Sequence, residues 1–146
     1  MSGRNSRSLA KLSAWAKRFE TLASPAQKGA LTKQMSKATL DLIEEGFRKE
    51  SSPYGQRWKR KRIPNGQKTL VEKDRMRQRF RARVGVGKFS ITNPQPYTNT
   101  HNYGDQSRNI PKRQIWPSAN RLPAKYVREY TVIFQNRALK IVRGRK

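Results

Sequence analysis

Phe80-Arg81-Ala82-Arg83-Val84-Gly85-Val86-Gly87-Lys88-Phe89-Ser90-Ile91-Thr92 is the stretch on which the fold class turns. Phe80, Ala82, Val84 and Val86 alternate with Arg81, Arg83 and Gly85, and beyond Gly87 the residues Phe89 and Ile91 alternate with Lys88, Ser90 and Thr92. A period of two sends alternate side chains to opposite faces of a strand, so two such runs around Gly85-Val86-Gly87 predict a β-hairpin. Asn93-Pro94-Gln95-Pro96 ends it, because neither proline has an N–H to give a ladder.

Upstream of the hairpin the period is that of a helix. Leu12, Trp15, Ala16, Phe19 and Leu22 recur at three- and four-residue steps, which predicts a first helix from about Arg7 to Leu22. Ser24-Pro25 then reads as a helix start, with serine at the cap and proline in the first turn, where its missing N–H costs nothing. The second helix is predicted to run to about Lys49, with Leu31, Met35, Ala38, Leu42, Ile43 and Phe47 on its apolar face. Gly29 and Gly46 weaken its ends.

Ser51-Ser52-Pro53-Tyr54-Gly55 is a turn cluster, and the basic stretch after it lacks an apolar period, so 51–68 is predicted to be an exposed basic loop. Tyr97 to Gly104 reads as a short polar-aromatic segment, and Ile110 to Trp116 as a third strand with Pro111 at its start. After Pro117, the residues Leu122, Tyr126, Val127, Tyr130, Ile133, Phe134 and Ala138 fit a C-terminal helix. The expected fold class is therefore α+β, with N-terminal helices packed on a small antiparallel sheet, a long basic loop and a C-terminal helix. The chain of 146 residues is read as a single domain, with basic tails at 1–8 and 143–146.

Charge dominates the composition: 34 Lys and Arg against 9 Asp and Glu leave a net +25, which self-repels and calls for a polyanionic or acidic neighbour. Between Arg57 and Lys88 there are 13 Lys and Arg against Glu72 and Asp74 alone, whereas the first fifty residues carry Glu20, Asp41, Glu44, Glu45 and Glu50. The absence of cysteine rules out disulfides and thiolate metal sites. No uninterrupted apolar run, Val132-Ile133-Phe134 included, approaches the ~20 residues of a membrane helix, so no membrane partner is expected.

Three short segments carry a family resemblance. They are Ser52-Pro53-Tyr54-Gly55-Gln56-Arg57-Trp58, then Tyr97-Thr98-Asn99-Thr100-His101-Asn102-Tyr103-Gly104, then Ile110-Pro111-Lys112-Arg113-Gln114-Ile115-Trp116. In this order and at this spacing they resemble the phage virion morphogenesis family, the tail-completion and tail-terminator proteins of contractile-tailed phages. That family shows a Pro-x-Gly-x-x-Trp-like turn, a Tyr-Ala-x-x-His-x-x-Gly segment, and Pro-x-Arg-x followed by bulky apolar residues. The resemblance spans roughly Leu9 to Trp116. The chain departs from the pattern at Thr98, where alanine is usual, at Lys73-Asp74-Arg75-Met76, where a Thr-Gly-x-Leu turn is common, and in its extension after Pro117. The resemblance implies a structural virion protein of the neck or tail that enables head–tail joining. It also implies self-assembly into a ring, six-fold by the family's context, against tail tube, sheath or other neck proteins, with transient contact with genomic DNA compatible.

His101 is the only histidine. Triad chemistry needs a nucleophile and an orienting acid, and a zinc site three or four ligands, so His101 is expected to serve packing or hydrogen bonding, and no cofactor is expected. Gly104 is expected to supply a positive-φ turn. A nuclease would need clustered carboxylates, and the basic half offers only Glu72, Asp74, Asp105 and Glu129. The run Arg57-Trp58-Lys59-Arg60-Lys61-Arg62 admits two readings. Its charges dock on acidic protein neighbours, or they neutralise phosphates while Trp58 stacks on a base, which would make the chain a nucleic-acid-binding protein. Together with Tyr97, His101, Gly104, Pro111, Arg113 and Trp116, this run is the candidate binding set.

Overall fold

The computed structural model describes residues 11, 13–14, 16–17, 20–61, 69–70 and 75–144. The chain is α+β, with helices at both ends of the described chain and a two-stranded antiparallel sheet between them. The described residues among 11–22 are helical, in line with the first expected helix, whose remaining positions lie outside the described residues.

Helix α1, Pro25–Lys49, has the predicted bounds. Ser24 caps it by accepting from the Gln27 amide, and Pro25 stands at its first turn. It ends at Glu50, whose left-handed backbone lets the Glu50 amide reach Phe47 O and the Ser51 amide reach Gly46 O. In its C-terminal half Leu42, Ile43 and Phe47 are buried as expected. In its N-terminal half the buried stripe is Thr32, Ser36 and Thr39, while Leu31, Met35 and Ala38 are only half-buried. These hydroxyls are satisfied, as Ser36 donates to Lys33 O and Thr39 to Met35 O inside the helix, while Thr32 shares its proton between Lys28 O and the nearer Gly85 O. Burial of such a polar group is tolerated once it is hydrogen-bonded, and its small size lets neighbours approach.

Those neighbours are the hairpin and the last helix. Strands β1, Arg81–Gly85, and β2, Lys88–Thr92, pair from Arg81↔Thr92 to Gly85↔Lys88, so Val86 and Gly87 alone form the turn, with Gly87 at φ +74°. Ala82, Phe89 and Ile91 are half-buried, and Val84 and Val86 face solvent. Thr32 Oγ1 lies 2.7 Å from Gly85 O and fastens the hairpin to α1.

Two further elements differ from expectation. Tyr97–Tyr103 is a helix, α2, although Thr and Asn are poor helix formers. Pro96 already has helical dihedrals, and Thr98 and Asn102 are buried, so packing overrides propensity. Ile110 to Trp116 is not a strand. Ile110 makes one isolated bridge to Asp105, and 111–115 run irregularly. Pro111 lacks a donor, and the Arg113, Ile115 and Trp116 amides are taken by α2, so no strand edge remains to be paired.

Helix α3, Ala124–Val142, is the C-terminal helix. It buries Tyr126 fully and meets α1 through Tyr130, whose hydroxyl is 2.5 Å from Thr39 Oγ1, while Val127 and Phe134 are exposed. Arg143 and Gly144 of the expected basic tail close its last turn through Leu139 O and Ile141 O. The 1–8 tail and 145–146 lie outside the described residues.

The core joins Ile43 and Phe47 of α1 with Trp58, Met76, Phe80 and Ile115. The expectation of an exposed loop at 51–68 is thereby corrected in part. Gly55 to Arg57, Lys59 and Arg60 are exposed, but Ser51, Ser52, Pro53 and Trp58 are buried, and 62–68 lie outside the described residues.

Candidate functional site

The three segments singled out in the sequence meet at one junction. The first is a tight turn: Ser52 N donates to Gln56 O at 2.7 Å, and Ser52 Oγ accepts from the Tyr54 and Gln56 amides. This turn delivers Trp58 into the core, edge-on to Phe47 at 5.4 Å, with its Nε1 donating to Gln114 O at 2.9 Å. Trp58 is 6 % exposed and presents no face for a base, which removes the stacking role considered for it.

Helix α2 holds the third segment. Asn102, 1 % exposed, accepts at Oδ1 from Ile115 N at 2.8 Å and Trp116 N at 3.1 Å. His101 O accepts from Arg113 N at 2.8 Å. Gly104 ends the helix at φ +77°, as expected for this glycine, and its backbone passes so close to 110–112 that an added Cβ would lie 2.9 Å from Lys112 N. Pro111 and Trp116 are half-buried in this packing, with Trp116 edge-on to Tyr103 at 6.0 Å.

Arg113 then ties the third segment back to the first. Its side chain is buried, with Nε donating to Lys59 O at 2.8 Å and Nη2 to Arg60 O at 3.3 Å. The ion pairs among the described residues are Lys49–Glu45, Arg77–Glu44 and Arg108–Asp105, and Arg113 belongs to none of them. Desolvation depresses its pKa, and among the described residues its charge is answered by carbonyl dipoles.

Next to it, His101 packs edge-on to Tyr97 at 6.3 Å, and its buried Nδ1 has no hydrogen-bond partner among the described residues. A cleft of about 390 Å³ lies between Lys61, Thr69, Met76, Tyr97, His101 and Arg113. A second, of about 560 Å³, is lined by Lys59, Arg60, Lys61, His101, Pro111 and Arg113 among others. The structure therefore brings together Lys59, Arg60, Lys61, Tyr97, His101, Pro111 and Arg113. Arg57 lines a different cleft, beside Arg121 and Glu45, and Arg62 lies outside the described residues. Among the described residues no three of His, Asp and Glu gather closely enough to hold a metal ion.

Asn102 was not legible as an organising residue, because its role depends on α2 existing and facing 115–116. Nothing in its local sequence marks it.

Burial, reinforced by the Arg113 charge, holds the His101 pKa below the ordinary value of about 6.5. In the unfolded chain His101 takes up a proton first as pH falls, so the stability gained from a neutral ring is full above about pH 6.5 and is lost below it, through the lower folded pKa. Urea unfolding should thus show stability falling as the pH drops below about 6.5, and His101→Gln should flatten that slope. Asp105 is held down to about 2 by Ser107 and then Arg108, so its share is lost only at lower pH. An unchanged slope in His101→Gln would assign the pH dependence to other groups.

Compared with models of protein families, with curated proteins and with solved structures, the chain matches none.

Proposed function

We propose that this chain is a non-enzymatic structural protein of a tailed-phage virion, a tail-completion or tail-terminator subunit of the neck. The observation supporting this reading is the junction itself. Three segments that resemble the family's signature, up to 56 residues apart, are used to fix one another's backbones: Trp58 to Gln114, Arg113 to Lys59 and Arg60, and α2 to 113–116. A signature spent on backbone positioning fits a part whose shape is its function. In this reading copies form a closed ring by side-by-side contacts, six by the family's context, and the ring caps tail tube or sheath in the virion.

A cap that is missing neither blocks packaging nor limits tube growth. Deletion of this protein from its phage should therefore leave filled heads with unattached or abnormally long tails under negative-stain microscopy. Normal joined virions would overturn the assignment. Loss of Trp58 as a stacking platform weighs against the rival reading in which the basic loop grips bases.

A further inference from the structure

We propose that Arg113 and His101 form a phosphate-binding site, open to an oxyanion of free phosphate or of a nucleic-acid backbone. Arg113 is only 7 % exposed, and taking a guanidinium out of water is costly unless a counter-charge answers it. Two backbone carbonyls accept from it, at Lys59 and Arg60, and no carboxylate among the described residues pairs with it. The Nδ1 of His101 is a buried polar atom with no hydrogen-bond partner among the described residues, and both His101 and Arg113 line both clefts. Across these clefts His101 shares the walls with Arg113, Tyr97, Lys59, Arg60 and Lys61, and among the described residues no Asp or Glu lines either cleft.

The shape of the donor set favours phosphate over carboxylate. The Nε–Nη2 edge of Arg113, which would grip a planar carboxylate in a fork, is already occupied by the Lys59 and Arg60 carbonyls. What remains are donors approaching from different elements, α2 and the 111–113 segment, with Lys59 and Arg60 on the rim. A tetrahedral oxyanion accepts from several directions, and consecutive rim cations suit a polyanion. The inference does not rest on the tail assignment, since it is tested on the isolated protein and the tail assignment on phage.

Because His101 is the only histidine, its imidazole resonances report on this site alone. The full-length protein should be titrated with inorganic phosphate, with a short single-stranded oligonucleotide and with polyglutamate while these resonances are followed. Phosphate is expected to shift them saturably and to raise the His101 pKa, because a bound anion offsets the Arg113 charge. Arg113→Gln is expected to weaken binding about 10- to 100-fold, the worth of a charged hydrogen bond. Should that variant unfold, the pKa rise in the wild-type protein still carries the test. Oligonucleotide competing with phosphate identifies a nucleic-acid backbone as the source, and saturation without competition identifies free phosphate, both supporting the site. A non-saturating shift, or polyglutamate binding as tightly as phosphate, overturns it.

Discussion

Trp58→Ala is expected to lower the unfolding free energy by about 3–5 kcal/mol, the range for truncating a large buried aromatic. Trp58 packs on Phe47 in the cluster with Ile43, Met76, Phe80 and Ile115, and its indole N–H is the partner of Gln114 O. Truncation opens a cavity between α1 and the 110–116 segment, and it leaves that carbonyl without its donor. Trp58→Phe separates the two losses. It retains most of the ring, so about 1–3 kcal/mol should remain, chiefly from the unsatisfied carbonyl. Urea or thermal unfolding of both variants measures this. An unchanged midpoint in Trp58→Ala would mean the indole is not in the core. Any fall in nucleic-acid affinity of Trp58→Ala must be read against the folded fraction, because lost stacking and lost folding give the same binding signal.

Gly104→Val should be comparably severe, about 4 kcal/mol or more, and can abolish folding in a small domain. Two costs combine. At φ +77° and ψ 169° the backbone is in a region open essentially to glycine alone, worth about 1–3 kcal/mol of strain for another residue. The new Cβ would also meet Lys112 N at 2.9 Å and Ile110 O at 3.2 Å. Those atoms cannot retreat, because Ile110 is paired twice with Asp105 and the Arg113 amide is bonded to His101 O. Gly104→Ala should therefore be nearly as damaging. Gly29→Ala is the control: it lies within α1, nothing is within 4 Å of the added Cβ, and a gain of up to about 1 kcal/mol is expected from helix propensity. Circular dichroism and unfolding curves of the three variants check the ranking, and a Gly104→Ala protein as stable as the parent would contradict the close approach described.

Local chemistry alone determined the bounds of α1, the hairpin and the backbone of Gly104. Ser24-Pro25 starts a helix by capping and by proline's fixed φ, alternation around Gly85-Val86-Gly87 sets a hairpin, and a glycine after a short polar segment marks a left-handed exit. Each of these depends on atoms within a few residues, so each is written in consecutive letters. The charge excess is likewise a property of composition. Tertiary structure alone decided the rest. A Trp inside a run of Lys and Arg looks exposed until Gln114, 56 residues away, accepts its N–H. Residues 97–103 become a helix only because Thr98 and Asn102 are buried against other parts of the chain, and 110–116 fail to form a strand because α2 takes their amides. The same long-range packing buried Arg113 with no carboxylate partner among the described residues and left His101 Nδ1 without a described partner, since desolvation is set by what surrounds a side chain in space and not by its neighbours in sequence.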